Sequence, residues 1–152
     1  MKLAEALILR ADCQKKIAQL RQRLSRSARV QEGEHPPENP QALLSELENN
    51  IVELTNLVQR INKTNSNTAL SSGTLSDALA QRDTLGLKCS VLSGLIQNAS
   101  IVSTRYSQSE VKLVSTVDIA ALQRQIDSLA REHRLLASQI QQLNWAVELE
   151  DL

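Results

Sequence analysis

Two histidines carry the side chain that most often serves as a ligand or acid–base group near neutral pH. His133 lies among leucines and isoleucines in LAREHRLLASQI, and His35 ends the only Glu-x-x-His motif of the chain, which starts at Glu32. Di-metal helical bundles place such motifs on inward-facing helices, but this one runs directly into Pro36-Pro37, where a helix breaks. We therefore predict no metal site. We interpret His133 as a polar residue that sets register in a helical seam, with a ligand or pH switch as the alternative.

The two cysteines offer no clearer chemistry. Cys13 and Cys89 match no metal-binding spacing, and both fall on apolar helical stripes, so we predict reduced core thiols of a cytoplasmic protein. Serines are abundant, but neither a Gly-x-Ser-x-Gly turn nor a glycine-rich phosphate loop occurs. The sequence thus predicts a protein that is not an enzyme and that needs no cofactor.

A basic stretch, RQRLSRSAR, ends the first thirty residues and carries Arg21, Arg23, Arg26 and Arg29. The chain as a whole has 17 basic and 17 acidic residues, but residues 1–30 are strongly basic and residues 31–60 strongly acidic. One interpretation is that the two segments neutralise each other across an antiparallel hairpin. The other is a phosphate-binding stripe for nucleic acid, which would lack interleaved aromatic residues to stack on bases. The first is favoured.

These groups must be positioned by helices. The chain has no Phe, one Trp, one Tyr and four Gly in 152 residues, a composition that favours long helices over a sandwich or barrel. We predict an all-α fold in a single domain, residues 1–152: an elongated four-helix bundle, or paired antiparallel helical hairpins, with heptad-type packing. The predicted helices span about residues 2–28, 41–63, 75–104 and 117–147, with starts at Asn39-Pro40 and, for the last, an N-cap at Thr116.

Each predicted helix has one stripe with steps of three and four, and in helices two, three and four these steps alternate as in a heptad seam. The stripe of the first helix is Ala6, Leu9, Cys13, Ile17, Leu20 and Leu24, and that of the second is Leu44, Leu47, Ile51, Leu54, Val58 and Ile61. The stripe of the third is Ala78, Arg82, Leu85, Cys89, Leu92, Ile96 and Ala99. The fourth has Ile119, Leu122, Ile126, Leu129, His133, Leu136, Ile140, Leu143 and Val147.

The first turns of helix one are apolar around nearly the whole circumference, which is one face more than a four-helix monomer needs. We therefore predict a subunit interface there, with Leu3, Leu7 and Ile8 as candidates. Trp145 is a further candidate, because tryptophan often anchors protein interfaces.

Several phrases of the sequence resemble a small bacterial family whose members are often labelled septicolysin or septicolysin-like. They are MKLAEALILRADCQKKIAQLRQRL, RVQEGE, RINKTN, RYSQSEVKLVSTVDIAALQRQ and LNWAVELEDL, and the resemblance covers essentially the whole chain. It implies a helical bundle of unknown function and carries over no catalytic residues. The label itself implies a membrane-lytic, haemolysin-like protein.

The leading hypothesis is a non-enzymatic helical bundle that self-associates and presents surfaces to an unknown protein partner. The alternatives are nucleic-acid binding through the basic end of helix one, and membrane lysis as the label suggests. No apolar run approaches the ~18 residues of a transmembrane helix, and Glu5 and Arg10 interrupt the apolar N-terminal stretch that would otherwise resemble a signal peptide. We therefore expect a cytoplasmic homo-oligomer.

Overall fold

The computed structural model describes residues 1–100 and 112–152. Its four α-helices are α1 (Leu3–Arg26), α2 (Pro40–Asn67), α3 (Leu75–Ala99) and α4 (Ile119–Ala146). Between α2 and α3, the two-residue strands β1 (Ala69–Leu70) and β2 (Gly73–Thr74) pair in antiparallel register. The all-α fold class is confirmed. The last predicted residues of helix three, 101–104, lie outside the described residues.

The chain forms two compact units. The first contains Met1–Leu75 and Gln141–Leu152, and the second contains Ser76–Ile140. The helix α4 therefore contributes its last turn and a half to the first unit and the rest to the second. The single domain expected from the sequence stays a prediction.

In the first unit, the less exposed side of α1 follows a heptad pattern from its first residue. Its members are buried or partly buried: Leu3, Ala6, Arg10, Cys13, Ile17, Leu20 and Leu24. Leu9, which the apolar pattern placed in this seam, is instead 38% exposed. Arg10 takes the position because its aliphatic stem can line apolar surface while the guanidinium stays in water.

The seam of α2 differs from the prediction by one residue in three of its turns. The observed members are Leu43, Leu47, Asn50, Leu54, Leu57, Ile61 and Thr64. The predicted members Leu44 and Ile51 are 46% and 40% exposed, respectively. The pattern failed because Asn50 is polar, yet its amide donates to the carbonyl of Glu46 at 2.8 Å. This bond within the helix satisfies the amide and allows it to be buried.

The second unit is built by α3 and the first part of α4, and here the predicted stripes hold. Every predicted seam residue from Ala78 to Ala99 on α3, and from Ile119 to Ile140 on α4, is buried or partly buried. His133 is among them. A Cβ added at Gly86 would lie 3.6 Å from its Nε2 atom, so this glycine gives the imidazole room between the helices. The location of His133 fits the packing interpretation.

Two helix starts can be compared with the prediction. The carboxamide oxygen of Asn39 accepts a hydrogen bond from the backbone N–H of Gln41 at 2.9 Å, and Pro40 opens α2 as predicted. The predicted N-cap Thr116 of α4 is wrong. Asp118 caps this helix, because its carboxylate accepts from the N–H of Ala121 at 3.0 Å and its negative charge suits the positive end of the helix dipole.

Leu20 tests the core of the first unit. It is 1% exposed, so Leu20→Ala should lower the free energy of unfolding by about 2–5 kcal/mol through lost burial and a residual cavity. Val52→Ala, on the 60% exposed Val52 of α2, is the control and should change it by less than about 0.5 kcal/mol. Equal losses in urea titrations of the two variants would contradict this core.

Candidate functional site

The predicted interface at the start of α1 is only partly available. Leu3 is fully buried and Leu7 is half-buried, whereas Ile8 and Trp145 are 53% and 56% exposed, respectively. Ile8 and Leu9 line a shallow surface pocket with Met1 and Glu5. The exposed remainder is thus a small apolar patch with one carboxylate at its edge.

The chain's own C-terminal segment accounts for the buried part. The N–H of Leu3 donates to the carbonyl of Val147 at 2.9 Å, and the N–H of Leu149 donates to the carbonyl of Met1 at 2.8 Å. Leu149 itself is 7% exposed. Because this segment pairs with the start of α1, the extra apolar face that predicted a subunit interface is covered in part within the chain.

Ion pairs hold the same segment. Glu148 contacts the Lys2 ammonium at 2.7 Å and the amino group of Met1 at 3.0 Å. Lys2 also donates to the carbonyl of Ala146 at 3.0 Å, at the C-terminal end of α4. The hydrogen bond from Lys2 and the second from the amino group hold the pKa of Glu148 below its ordinary value.

The tail continues along α2, a contact that sequence reasoning missed. Arg60 donates to the carbonyl of Glu150 at 3.0 Å and to the Asp151 carboxylate at 2.8 Å. The Lys63 ammonium donates to the carbonyl of Asp151 at 2.7 Å, and the buried Thr64 hydroxyl accepts from the N–H of Glu150 at 3.0 Å. The opposite charges of the basic segment RINKTN and the acidic segment ELEDL were the signal that could have predicted this contact. Arg60 and Lys63 thus bind the tail of the same chain.

The basic stretch RQRLSRSAR has one arginine, Arg23, that forms ion pairs with other described residues. Arg23 makes a two-nitrogen contact with the carboxylate of Glu38, with the shortest distance at 2.6 Å, and lies 3.6 Å from Glu46. This pair lowers the pKa of Glu38, chiefly through the hydrogen bond. Within the described part of the chain, no ion pair involves the exposed Arg21, Arg26 and Arg29. The neutralisation expected between helices one and two is therefore present at Arg23.

The candidate reactive groups are separate from one another. Cys13 and Cys89 are both free thiols, and Cys13 is 2% exposed. Burial, and next the charge of Glu53, raise the pKa of the Cys13 thiol, which disfavours the nucleophilic thiolate. Among residues 1–100 and 112–152, no three His, Cys, Asp or Glu side chains lie together as metal ligands would.

A second apolar row on α3 was also missed. Leu87 is 65% exposed, Val91 62% and Leu95 39%. All three lie outside the predicted stripe of α3. The missed signal is that α3 has apolar residues on its exposed side as well as in the predicted stripe, which is typical of a helix with neighbours on more than one face. Among the described helices, none is long and apolar enough to cross a membrane.

Comparison with known proteins places this geometry in context. The model of a family of unknown function (DUF6847) matches residues 10–149. A crystal structure described as a functionally unknown conserved protein from Corynebacterium diphtheriae has 43% sequence identity and a TM-score of 0.92, over 99% of each chain. None of the curated proteins matches this chain. Neither description mentions septicolysin, so nothing here supports the label that the sequence resemblance suggested.

The two carboxylates with a lowered pKa predict an acid dependence of stability. A group whose folded-state pKa is depressed stabilises the fold above its unfolded pKa, and that contribution is lost as the pH falls through the folded value. For Glu38 and Glu148 we expect it to be complete above the ordinary glutamate value of 4.5 and to decline below it. The double variant Glu38→Gln/Glu148→Gln should therefore lose less stability than the wild type between about pH 5 and pH 3 in urea titrations.

The matched control is Glu32→Gln/Glu34→Gln, which removes two exposed loop carboxylates that no ion pair of the described residues uses. It should keep the acid dependence of the wild type. If the Glu38/Glu148 variant also kept it, these ion pairs would not contribute to stability.

Proposed function

We propose that this chain, which belongs to the family of unknown function DUF6847, is a non-enzymatic helical protein that self-associates and presents surfaces to a protein partner. The observation that carries the proposal is the amount of large apolar side chain left exposed in rows and patches. Leu87, Val91 and Leu135 in the second unit, and Ile8 and Trp145 in the first, are each more than half exposed. Contiguous apolar patches on a soluble protein usually mark interaction sites.

Several ion pairs within the chain support the same proposal, because the groups that form them are already used. Arg23 binds Glu38, Glu148 binds Lys2, and Arg60 holds the C-terminal tail. The pocket beside Ile8 is lined by Met1, Leu9 and a single carboxylate. A surface of this kind suits apolar protein side chains better than a small polar substrate, which needs several converging polar groups.

We propose that the exposed surface at the start of α1 binds the protein partner. The sequence-based prediction of self-association there rested on a surplus apolar face, and the burial of Leu3 beneath the C-terminal segment removes part of that surplus. Ile8 and Trp145 remain available for a different protein. A cytoplasmic location belongs to the proposal too, and the two free thiols support it, since reducing compartments keep thiols free.

Nucleic-acid binding is the second candidate, and the exposure of Arg21, Arg26 and Arg29 favours it. Against it, the carboxylates of Glu38 and Glu46 lie against Arg23 in the middle of the stretch. Membrane lysis, which the label septicolysin suggested, finds no support in the family model or the solved structure and is not proposed.

Heparin chromatography separates the two candidates. We expect the protein to pass through at low ionic strength, because three exposed arginines beside two acidic side chains form a weak phosphate-binding surface. Retention that falls steeply with salt, and that Arg21→Gln/Arg26→Gln/Arg29→Gln abolishes while Lys15→Gln/Lys16→Gln does not, would instead favour nucleic-acid binding.

Sedimentation equilibrium of the purified protein tests the leading proposal. We expect a mass that is a multiple of the 16.8 kDa chain and that decreases on dilution, because a small interface of this kind dissociates measurably. A single-chain mass at every concentration would overturn self-association.

A further inference from the structure

Two exposed apolar residues of α3, Leu87 and Val91, can be extended into a second heptad seam that does not include Leu95. Starting from the apolar residues Leu87 and Val91, alternating steps of three and four extend it in both directions. In heptad notation, position a is Thr84, Val91 and Asn98, and position d is Ala80, Leu87 and Gly94. We call these six residues the outer row. They lie about 150° around the helix, at 100° per residue, from the less exposed stripe that runs from Ala78 to Ala99.

Among residues 1–100 and 112–152, most of the outer row is left uncovered, and only Asn98, near the end of α3, lines a pocket with residues 113–117. Five of its six members are exposed, and a Cβ added at Gly94 would have nothing within 4 Å. The seam on the other side of α3, by contrast, is buried or partly buried along its length. A helix with two seams, of which one is open, has room for a further helix.

The residue types at these positions indicate what that helix is. In parallel two-stranded coiled coils, a β-branched residue at a with leucine at d favours two strands, and a single asparagine at a fixes register and strand number. Here Val91 at a follows Leu87 at d, and Asn98 occupies the next a position. Leu87, Val91 and Asn98 thus match a parallel pair of identical helices, and the small Ala80 and Gly94 at the other d positions would allow the two backbones to approach closely.

The charged residues beside the outer row also fit a parallel pair of identical helices. Asp83 is at position g and Lys88 at position e, five residues later, which are the two positions that meet between the strands of a parallel pair. Each helix would therefore place its Asp83 opposite Lys88 of the other copy, twice by symmetry. An antiparallel pair would bring the flanks of like charge together instead. Lys88 makes no ion pair among the described residues, and Asp83 accepts from Arg82 through one of its two carboxylate oxygens, Oδ1.

We propose that the outer row of α3 packs against the outer row of a second copy of this chain, in parallel and in register, with Asp83–Lys88 ion pairs on both flanks. The inference rests on the proposed self-association and assigns it a surface. It commits to a second copy because the row is complementary to itself in both apolar pattern and charge.

Charge reversal and its rescue test the pairing, with sedimentation velocity of the full chain as the readout. Lys88→Glu and Asp83→Lys should each shift the dimer toward monomer, because each places like charges opposite one another. The double variant Asp83→Lys/Lys88→Glu should restore the dimer, since the pairs re-form with exchanged signs. Leu87→Glu should give monomer. Circular dichroism establishes that each variant keeps its helical content.

Two exposed positions outside the row serve as controls. Arg134→Glu on α4 and Ile8→Glu on α1 should both leave the dimer intact. A double variant that stays monomeric overturns the parallel pairing. If Leu87→Glu leaves the dimer intact, or if Ile8→Glu dissociates it, the protein still self-associates but the interface does not lie on α3. A wild type that is monomeric at all concentrations overturns both.

Discussion

Each helix of this chain must bury one stripe of side chains that recurs every three and four residues, and the other features of the structure follow from how that burial is achieved. In the first unit the stripes of α1 and α2 face each other, and Leu20 and Ile61 are each 1% exposed. In the second unit, Ala78 and Ile140, close to its first and last residues in sequence, are buried. The stripe residues between them in sequence are only partly buried. A helix that buries one stripe leaves its other side open, and on α3 that side carries the exposed Leu87 and Val91.

Specific polar contacts complete the first unit where apolar burial stops. The C-terminal segment crosses the start of α1 through backbone hydrogen bonds and then binds Arg60 and Lys63 of α2. Exposed ion pairs of this kind each contribute little to stability, but as a set they fix where the tail lies. The consequence for function is that the tail covers Leu3, so the apolar patch that remains at the start of α1 is small. Among the described residues, Leu87 and Val91 of α3 are more exposed than Ile8 of α1.

The fold was predictable from the sequence because hydrophobic periodicity is its main determinant, and the seam of α4 illustrates this from Ile119 to Ile140. The periodicity failed at Asn50 and Arg10, where a polar residue occupies a seam position through a local hydrogen bond or a long aliphatic stem. It also gave no information on the tail, whose contacts are non-periodic and join residues far apart in sequence. The outer row of α3 was predictable in principle, but an interpretation that assigns one stripe to each helix passes over a second. Which exposed residues meet another molecule depends on that molecule, which the sequence does not contain.

The proposed function requires association with protein surfaces, beginning with a second copy of this chain. Native mass spectrometry of the protein purified gently from its own cells tests it most directly, because subunit number, bound metal, nucleic acid and protein partners are read together. We expect a homo-oligomer, alone or with a bound protein, whose mass is accounted for by polypeptide without metal or nucleic acid. A single chain that carries a stoichiometric metal ion or a nucleic acid would contradict it.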